Sequence, residues 1–309
     1  MNMHAHLPSR RDEGWRWSDL RAAVNDVGVP EVVPLGDGHI AERLMRGWAA
    51  LDTSGDQPAI ESVSISGTQV LTDTFDADGG FEWLAHELVL EPGADVTRIV
   101  RQIDSDAHEP GAGVWLTKVR LKAGARYRQF VLAEGAKLAR IETHVLVEGE
   151  GAQVMLNGVY LANSGRHADL TSVIEHKAPS AVTRQLIKGV ARKRGRGVFQ
   201  GKIVVERAAQ KTDARQHHQG LLLEDGAEIF AKPELMIYAD DVQCAHGNTA
   251  GGLDEGALFY MRSRGIPEAE ARALLIEAFL TETIPEGISE ALRDELTGAI
   301  RNWLAGAPS

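Results

Sequence analysis

Val-Phe-Gln-Gly-Lys-Ile (198–203), Ala-Gln-Lys-Thr-Asp-Ala (209–214), Leu-Leu-Leu-Glu-Asp-Gly-Ala-Glu-Ile (221–229), Lys-Pro-Glu-Leu-Met-Ile (232–237), Ala-Asp-Asp-Val-Gln-Cys-Ala-His-Gly (239–247) and Leu-Phe-Tyr-Met-Arg-Ser-Arg-Gly-Ile (258–266) succeed one another along the chain. Up to Gly247 short apolar runs alternate with polar turns, the pattern of strands; beyond it the apolar spacing becomes helical. The sole cysteine, Cys244, stands two residues from His246 at that junction.

Toward the N-terminus the strand pattern extends back to about Ala59, punctuated by a recurring turn. Leu90-Glu-Pro-Gly-Ala94, Leu121-Lys-Ala-Gly-Ala125, Leu132-Ala-Glu-Gly-Ala136, the longer Val147-Glu-Gly-Glu-Gly-Ala152, and Leu223-Glu-Asp-Gly-Ala227 each end in Gly-Ala before a new apolar run. A strand–glycine turn–strand unit repeated at intervals of tens of residues predicts a mainly β protein, either a β-helix-like solenoid or a sandwich or jelly roll. Short strands, 32 glycines against 11 prolines, and no long helix between about 59 and 247 favour the solenoid. A solenoid buries each coil only against its neighbours, so its ends need caps.

The segments outside the strands supply candidate caps. Leu7 to Leu20 carries Trp15 and Trp17, which predict an anchoring segment packed onto another surface. A helix is expected at Ser18–Val27, with Ser18 as N-cap and Gly28 as stop, and another at Ile40–Leu51. Past Asp254, itself a good N-cap, three short helices are expected. The first ends at Gly265. The second opens with Pro267 at its first position and has Ala271, Leu274, Leu275, Ala278 and Phe279 as its apolar face. The third, from about Pro285, carries Ile288, Leu292, Leu296, Ile300, Trp303 and Leu304. The organisation predicted is an N-terminal helical and anchoring segment over 1–55, a β core over 56–250 and a C-terminal helical domain over 251–309.

A formal net charge of -11 argues against non-specific nucleic-acid binding, which needs a basic field. One cysteine excludes an internal disulfide and an all-cysteine metal site within one chain. The charged N-terminus is not a secretory signal, and no apolar run reaches the ~18 residues of a membrane span. The expected location is the cytoplasm.

Few groupings suggest chemistry. On a strand, Cys244 and His246 point the same way and could address one ion. The pair is either a half-site completed by another chain or a buried thiol beside a surface histidine. Asp240-Asp241 and His217-His218 are adjacent, face opposite sides of a strand, and make no dyad. His167, Asp169, Glu175 and His176 form a loose polar group without recognisable ligand spacing. Arg192-Lys193-Arg194-Gly195-Arg196, with Lys188 upstream, is the one dense basic run. It is expected as a solvated turn, or as a holder of phosphate or an acidic partner. Neither a phosphate-binding Gly-x-x-x-x-Gly-Lys-Ser/Thr nor a Gly-x-Ser-x-Gly elbow occurs.

The six segments quoted at the outset, in that order, resemble the core of the SufB/SufD family, scaffold proteins of the SUF iron–sulfur cluster assembly system. Leu-Pro-Ser-Arg-Arg-Asp-Glu-Gly-Trp-Arg-Trp-Ser-Asp-Leu (7–20) and the Cys-x-His-Gly junction resemble the SufD branch. The resemblance implies a right-handed parallel β-helix with flanking helices and a non-enzymatic role. It implies pairing with a SufB-like subunit through the β-helix, and docking of a SufC-like ATPase on helices around 254–280. A transient iron–sulfur cluster would form at the subunit interface, with no cofactor tightly bound. The family's interface histidine maps onto His246, and Cys244 matches a family position. Residues 245 and 248 are Ala and Asn where the family pattern has Ser and Ala. Two other readings are a β-helix enzyme, of polysaccharide lyase or acyltransferase type, and a homodimer binding cluster across its own two-fold axis.

Overall fold

The computed structural model describes residues 10–27, 62–104 and 109–306. Residues 1–6 and the helix expected at Ile40–Leu51 lie outside them. Among the described residues the chain forms a 3-10 turn at Glu13–Trp15 and one α-helix, then fourteen strands, then three α-helices. Helix α1 is Leu20–Val27. The strands are β1 (Ser62–Ile65), β2 (Thr68–Asp76), β3 (Phe81–Leu90), β4 (Asp95–Ile103), β5 (Ala112–Leu121), β6 (Arg126–Ala133), β7 (Leu138–Val147), β8 (Gln153–Ala162), β9 (His167–His176), β10 (Val182–Ala191), β11 (Arg196–Val205), β12 (Asp213–Leu222), β13 (Glu228–Ile237) and β14 (Gln243–Gly251). Helices α2 (Glu255–Ser263), α3 (Glu268–Thr281) and α4 (Glu290–Ala305) follow.

Odd strands form one sheet in the order β1-β3-β5-β7-β9-β11-β13, and even strands the other, β14-β12-β10-β8-β6-β4-β2. Every paired strand is parallel to its neighbour: Gln153 lies beside Val182, 29 residues on, and His167 beside Arg196, also 29 on. This is a parallel β-solenoid, each coil giving one strand to each sheet. A sandwich or jelly roll would pair its strands antiparallel.

The recurring turns stack into columns. Those after Leu90, Leu121 and Val147 occupy one corner of successive coils. There Gly93 N–H donates to Ala123 O (2.9 Å), Gly124 to Glu150 O (2.9 Å) and Gly151 to Pro179 O (3.1 Å). The corner needs a left-handed residue, and Gly93, Gly124 and Gly151 supply it with φ near 70° (74, 65 and 69). The same corner continues through Ser180 and Lys211, also at positive φ, so the column outlasts its glycine signature. The turns at Gly135 and Gly226 belong to the opposite corner.

Inside the coils alternate side chains of both sheets interdigitate. One end of the interior is aliphatic, with Val96, Val119, Val145, Val154, Ile174 and Ile203 all nearly inaccessible. The outer faces are covered too. C-terminal helices lie on the even sheet: Ile276, Leu280, Leu296, Ile300 and Trp303 pack against Ile99, Phe130, Leu132, Val159, Leu161 and Val190. The N-terminal segment straps the odd sheet, with Trp15, Leu20 and Val24 against Ala112, Val114 and Leu138. Trp17 stacks on Phe230 at 5.9 Å between centroids. The paired tryptophans therefore act as the anchor their spacing predicted.

Four local expectations are corrected. Ser18 does not cap α1: Asp19 Oδ1 accepts from Ala22 N–H (3.0 Å), freeing the Ser18 hydroxyl to turn into the protein. Pro267 is the N-cap of α3 rather than its first residue. The buried side of α3 is Ala271, Ile276 and Leu280, while Leu274 is exposed. That helix is apolar nearly all round, so periodicity could not select its face. Of the basic run, Lys193 and Arg194 form the exposed turn expected, but its other members do not. Lys188 is buried, pairing with Glu282 at 2.5 Å over the Phe279 ring. Arg192 lies 4.1 Å above Trp303 and donates to the Trp303 and Leu304 carbonyls, while Arg196 pairs with Glu228. These residues hold α3 and α4 to the sheet and brace the last coil.

Candidate functional site

The solenoid does not close at its C-terminal end. β13 pairs only with β11 and β14 only with β12, so the outer edge of each carries unpaired backbone groups, a template for another strand. Pro233 is tolerated in β13 because that strand is an edge. The last coil's interior is uncovered as well: inward Ile237 is exposed, and Ile229, Ala231 and Leu235 are half-buried.

Cys244 and His246 lie on β14. In register they extend the rows of Ala214 and Gln216, both fully buried inside the preceding coil. The two side chains therefore share the inward face, as i and i+2 on a strand must. Cys244 is half-buried against the aliphatic cluster, and burial pushes its thiol pKa up. His246 is exposed at the rim. Among the described residues no group of three His, Cys, Asp or Glu side chains converges as a metal site would require, so this rim offers two donors. Asn248, the third inward residue, accepts from His218 Nδ1 (2.7 Å), which gives Asn at that position a role inside the last coil.

Behind His246 runs a polar interior row. Arg98, Gln129, Leu156, Gln185, Gln216 and His246 are successive in-register neighbours across the even sheet. Arg98 donates to Asp73, Thr117 and Gln129. Gln129 donates to Thr143 (2.9 Å), Gln185 to Ser172 (2.8 Å) and Gln216 to Gln185 (2.8 Å). At Leu156 the row is interrupted. A cavity of about 20 Å³ lies there, lined by Gln129, Thr143, Ser172 and Gln185 among others, and sized for one water.

Of the loose polar group His167, Asp169, Glu175 and His176, strand alternation separates the members. His176 points inward to Thr183 (3.0 Å). His167 and Asp169 face out under the strap. The Ser18 hydroxyl donates to Asp169, leaving its oxygen to accept from His167 Nε2 at 3.1 Å. Arg140 joins them, 3.0 Å from Asp169 and 2.8 Å from Glu142, and donates to Gly14 O. Burial and nearby arginines push the His167 pKa down to about 3. A Ser–His–Asp set with the carboxylate on serine, not on histidine, does not make a nucleophile. The group is a latch that fastens the strap. Ser18 escaped sequence reasoning because its partners are 149 and 151 residues away, and Arg140 because its contacts with Gly14 and the Trp15 ring form only once the strap folds back onto the sheet.

Asp240 and Asp241 are exposed in the last turn, Asp241 pairing with Lys211 at 2.8 Å. His217 faces out and His218 in. His218 stacks on Phe199 at 5.1 Å and accepts from the Tyr160 hydroxyl at 2.9 Å. On the C-terminal helices Phe259, Tyr260 and Leu274 are exposed, Phe259 by 73%. No helix among the described residues is long and apolar enough to cross a membrane.

Comparison with known proteins agrees with this architecture. Residues 65–279 match the family model described as SUF system FeS cluster assembly, SufBD core domain. The chain is 38% identical over 161 residues to the iron–sulfur cluster assembly protein SufD of Escherichia coli (strain K12), covering 52% of this chain and 37% of that protein. It is 34% identical over 208 residues to the SufBD family protein slr0076 of Synechocystis (67% and 45%). It is 34% identical over 228 residues to the chloroplastic protein ABCI7 of Arabidopsis thaliana (73% and 47%). The matched part is less than half the length of each of these relatives. The solenoid, the order of its segments and a match over most of its length together make the chain a member of the SufB/SufD family of the SUF iron–sulfur cluster assembly system.

Proposed function

We propose that the protein is a SufD-type scaffold subunit that acts in the cytoplasm and is not itself an enzyme. Its open end pairs with a SufB-like subunit, and His246, with Cys244 beside it, contributes to a seam where a transient iron–sulfur cluster is built. The cluster is cargo, not a resident cofactor. The observation that carries the reading is that the last coil is left uncovered and bears both donors on its final strand. Two donors are half of a four-ligand iron site, so the remaining ligands come from the covering chain. Cys244 is half-buried against the aliphatic cluster while His246 stands exposed at the rim, so the imidazole is assigned the larger part. A SufC-like ATPase docks on the segment 254–280, supported by the exposed Phe259, Tyr260 and Leu274.

The test is reconstitution with a SufB-like subunit and a SufC-like ATPase, followed by iron and sulfide assay. His246→Ala is expected to lower cluster yield severalfold without loss of complex. Full yield from that variant would remove His246 from the seam. Phe259→Asp with Tyr260→Asp should release the ATPase and leave the SufB-like subunit bound.

A further inference from the structure

The last two glutamines of the interior row that ends at His246 share a direction. Gln185 Nε2 donates to Ser172 Oγ, and Gln216 Nε2 donates to Gln185 Oε1, each at 2.8 Å. Both spend their donor on a group earlier in the chain, whereas Gln129 donates forward to Thr143. Gln216 Oε1 is left as a buried acceptor without a partner, on a fully buried residue. The next inward side chain on that row is His246, whose strand lies about 4.8 Å away in a paired sheet. Its neighbours on β14 are committed, Cys244 to the aliphatic cluster and Asn248 to His218.

One row over, the same device is already assembled. His218 donates through Nδ1 to the Asn248 amide oxygen and accepts from Tyr160 through Nε2, so its tautomer is set by an amide on the adjacent coil. Burial holds its pKa down at about 4, so the ring is neutral.

We propose that Gln216 is the positioning residue for His246: when a partner covers the open end, Gln216 Oε1 takes one imidazole N–H and leaves the other ring nitrogen, with its lone pair, facing the seam. In the free chain His246 is at the rim and water competes for its N–H. Covering the coil removes that water. A buried acceptor left unsatisfied is costly, and the imidazole N–H is the in-register donor. A metal-binding histidine is commonly oriented this way through its second nitrogen. This inference rests on the assignment of His246 to the seam proposed above.

The experiment is nitrogen-15 NMR of histidine-labelled chain at pH 8, free and assembled with a SufB-like subunit. The His246 signals are identified by their loss in His246→Asn. Two variants perturb the contact differently. Gln216→Leu removes the acceptor. Gly201→Ala keeps Gln216 but places a Cβ where its amide lies, forcing it aside. Expected is a tautomer mixture in the free chain, one neutral tautomer in the wild-type complex, and a mixture in both variant complexes. A mixture in the wild-type complex, or a single unchanged tautomer in the variants, overturns the proposal. The result separates from the parent reading: full cluster yield from His246→Ala would sink the seam assignment while leaving the tautomer measurement to stand by itself.

Discussion

Arg140 sits over the Trp15 ring, its guanidinium carbon 4.0 Å from the ring centroid, and holds Asp169 and Glu142 with the same group. One cation thereby joins the N-terminal strap to two coils of the solenoid. Trp15→Ala is expected to destabilise the protein by about 3–5 kcal/mol, the range for losing a buried large aromatic. Arg140→Met should cost a similar ~3–5 kcal/mol by leaving two buried carboxylates without their cation. Urea unfolding of both single variants and the double tests this. Because strap and cation share the contact, the double variant should lose less than the sum.

Acid should loosen the fold well above the range in which exposed carboxylates titrate. Burial pushes His176 and His218 down to about 4 and His167 to about 3. Lowered histidine values mean that the folded state binds fewer protons than the unfolded chain between about pH 6.5 and 4. Stability is then complete above the unfolded value and falls as pH drops. Linkage gives roughly 2 kcal/mol per histidine by pH 5. Glu142 adds a second, lower window. Burial would raise its carboxyl, but Arg140 and His144 outweigh that and hold it near 2. Its contribution is present above about 4.5 and lost toward 2. Denaturation midpoints between pH 8 and 3 should decline in these two stages, and a flat profile from 8 to 5 would contradict the buried-histidine account.

Tyr160 fills the interior beside two glycines. A Cβ at Gly189 or at Gly197 would fall within the Tyr160 ring, whose hydroxyl is itself tied to His218. Gly189→Ala is expected to cost at least the ~1–3 kcal/mol of overpacking. Gly298→Ala, on α4 with open space around the new carbon, should be neutral or slightly stabilising. Thermal unfolding of the pair gives the comparison.

Arg192 joins α4 to the even sheet through the Trp303 ring and two terminal carbonyls. Arg192→Ala should raise hydrogen exchange across Glu290–Ala305 by about tenfold, corresponding to ~1.4 kcal/mol of lost local stability, with little change in β4 to β10. Uniformly raised exchange through strands and helix alike would show that the two unfold as one unit.

The solenoid was legible because one corner of its coil demands a left-handed residue and glycine fills it repeatedly. Where Ser180 and Lys211 fill the same corner the signal vanishes, although the geometry does not. The inward sharing of Cys244 and His246 followed from strand periodicity alone. What stayed hidden depends on contacts distant in sequence. Ser18 reads as a helix cap until Asp169 is placed 151 positions away. Lys188 and Arg192 read as a solvated run until Glu282 and Trp303 fold back over them. The face of α3 was unreadable because hydrophobic residues encircle it.

The spacing between rungs is uneven: Leu138 follows its neighbour Ala112 by 26 residues, whereas Glu228 follows Arg196 by 32, yet side chains stay aligned. All slack is taken up at the bends. Lineages can therefore lengthen a bend, and an engineer can insert an affinity tag or fluorophore there, without dislodging a single inward-facing group. The bends at 223–227 and 238–242, on either side of β13, stand closest to the unfinished rim, and grafts at those two places would report on its occupancy.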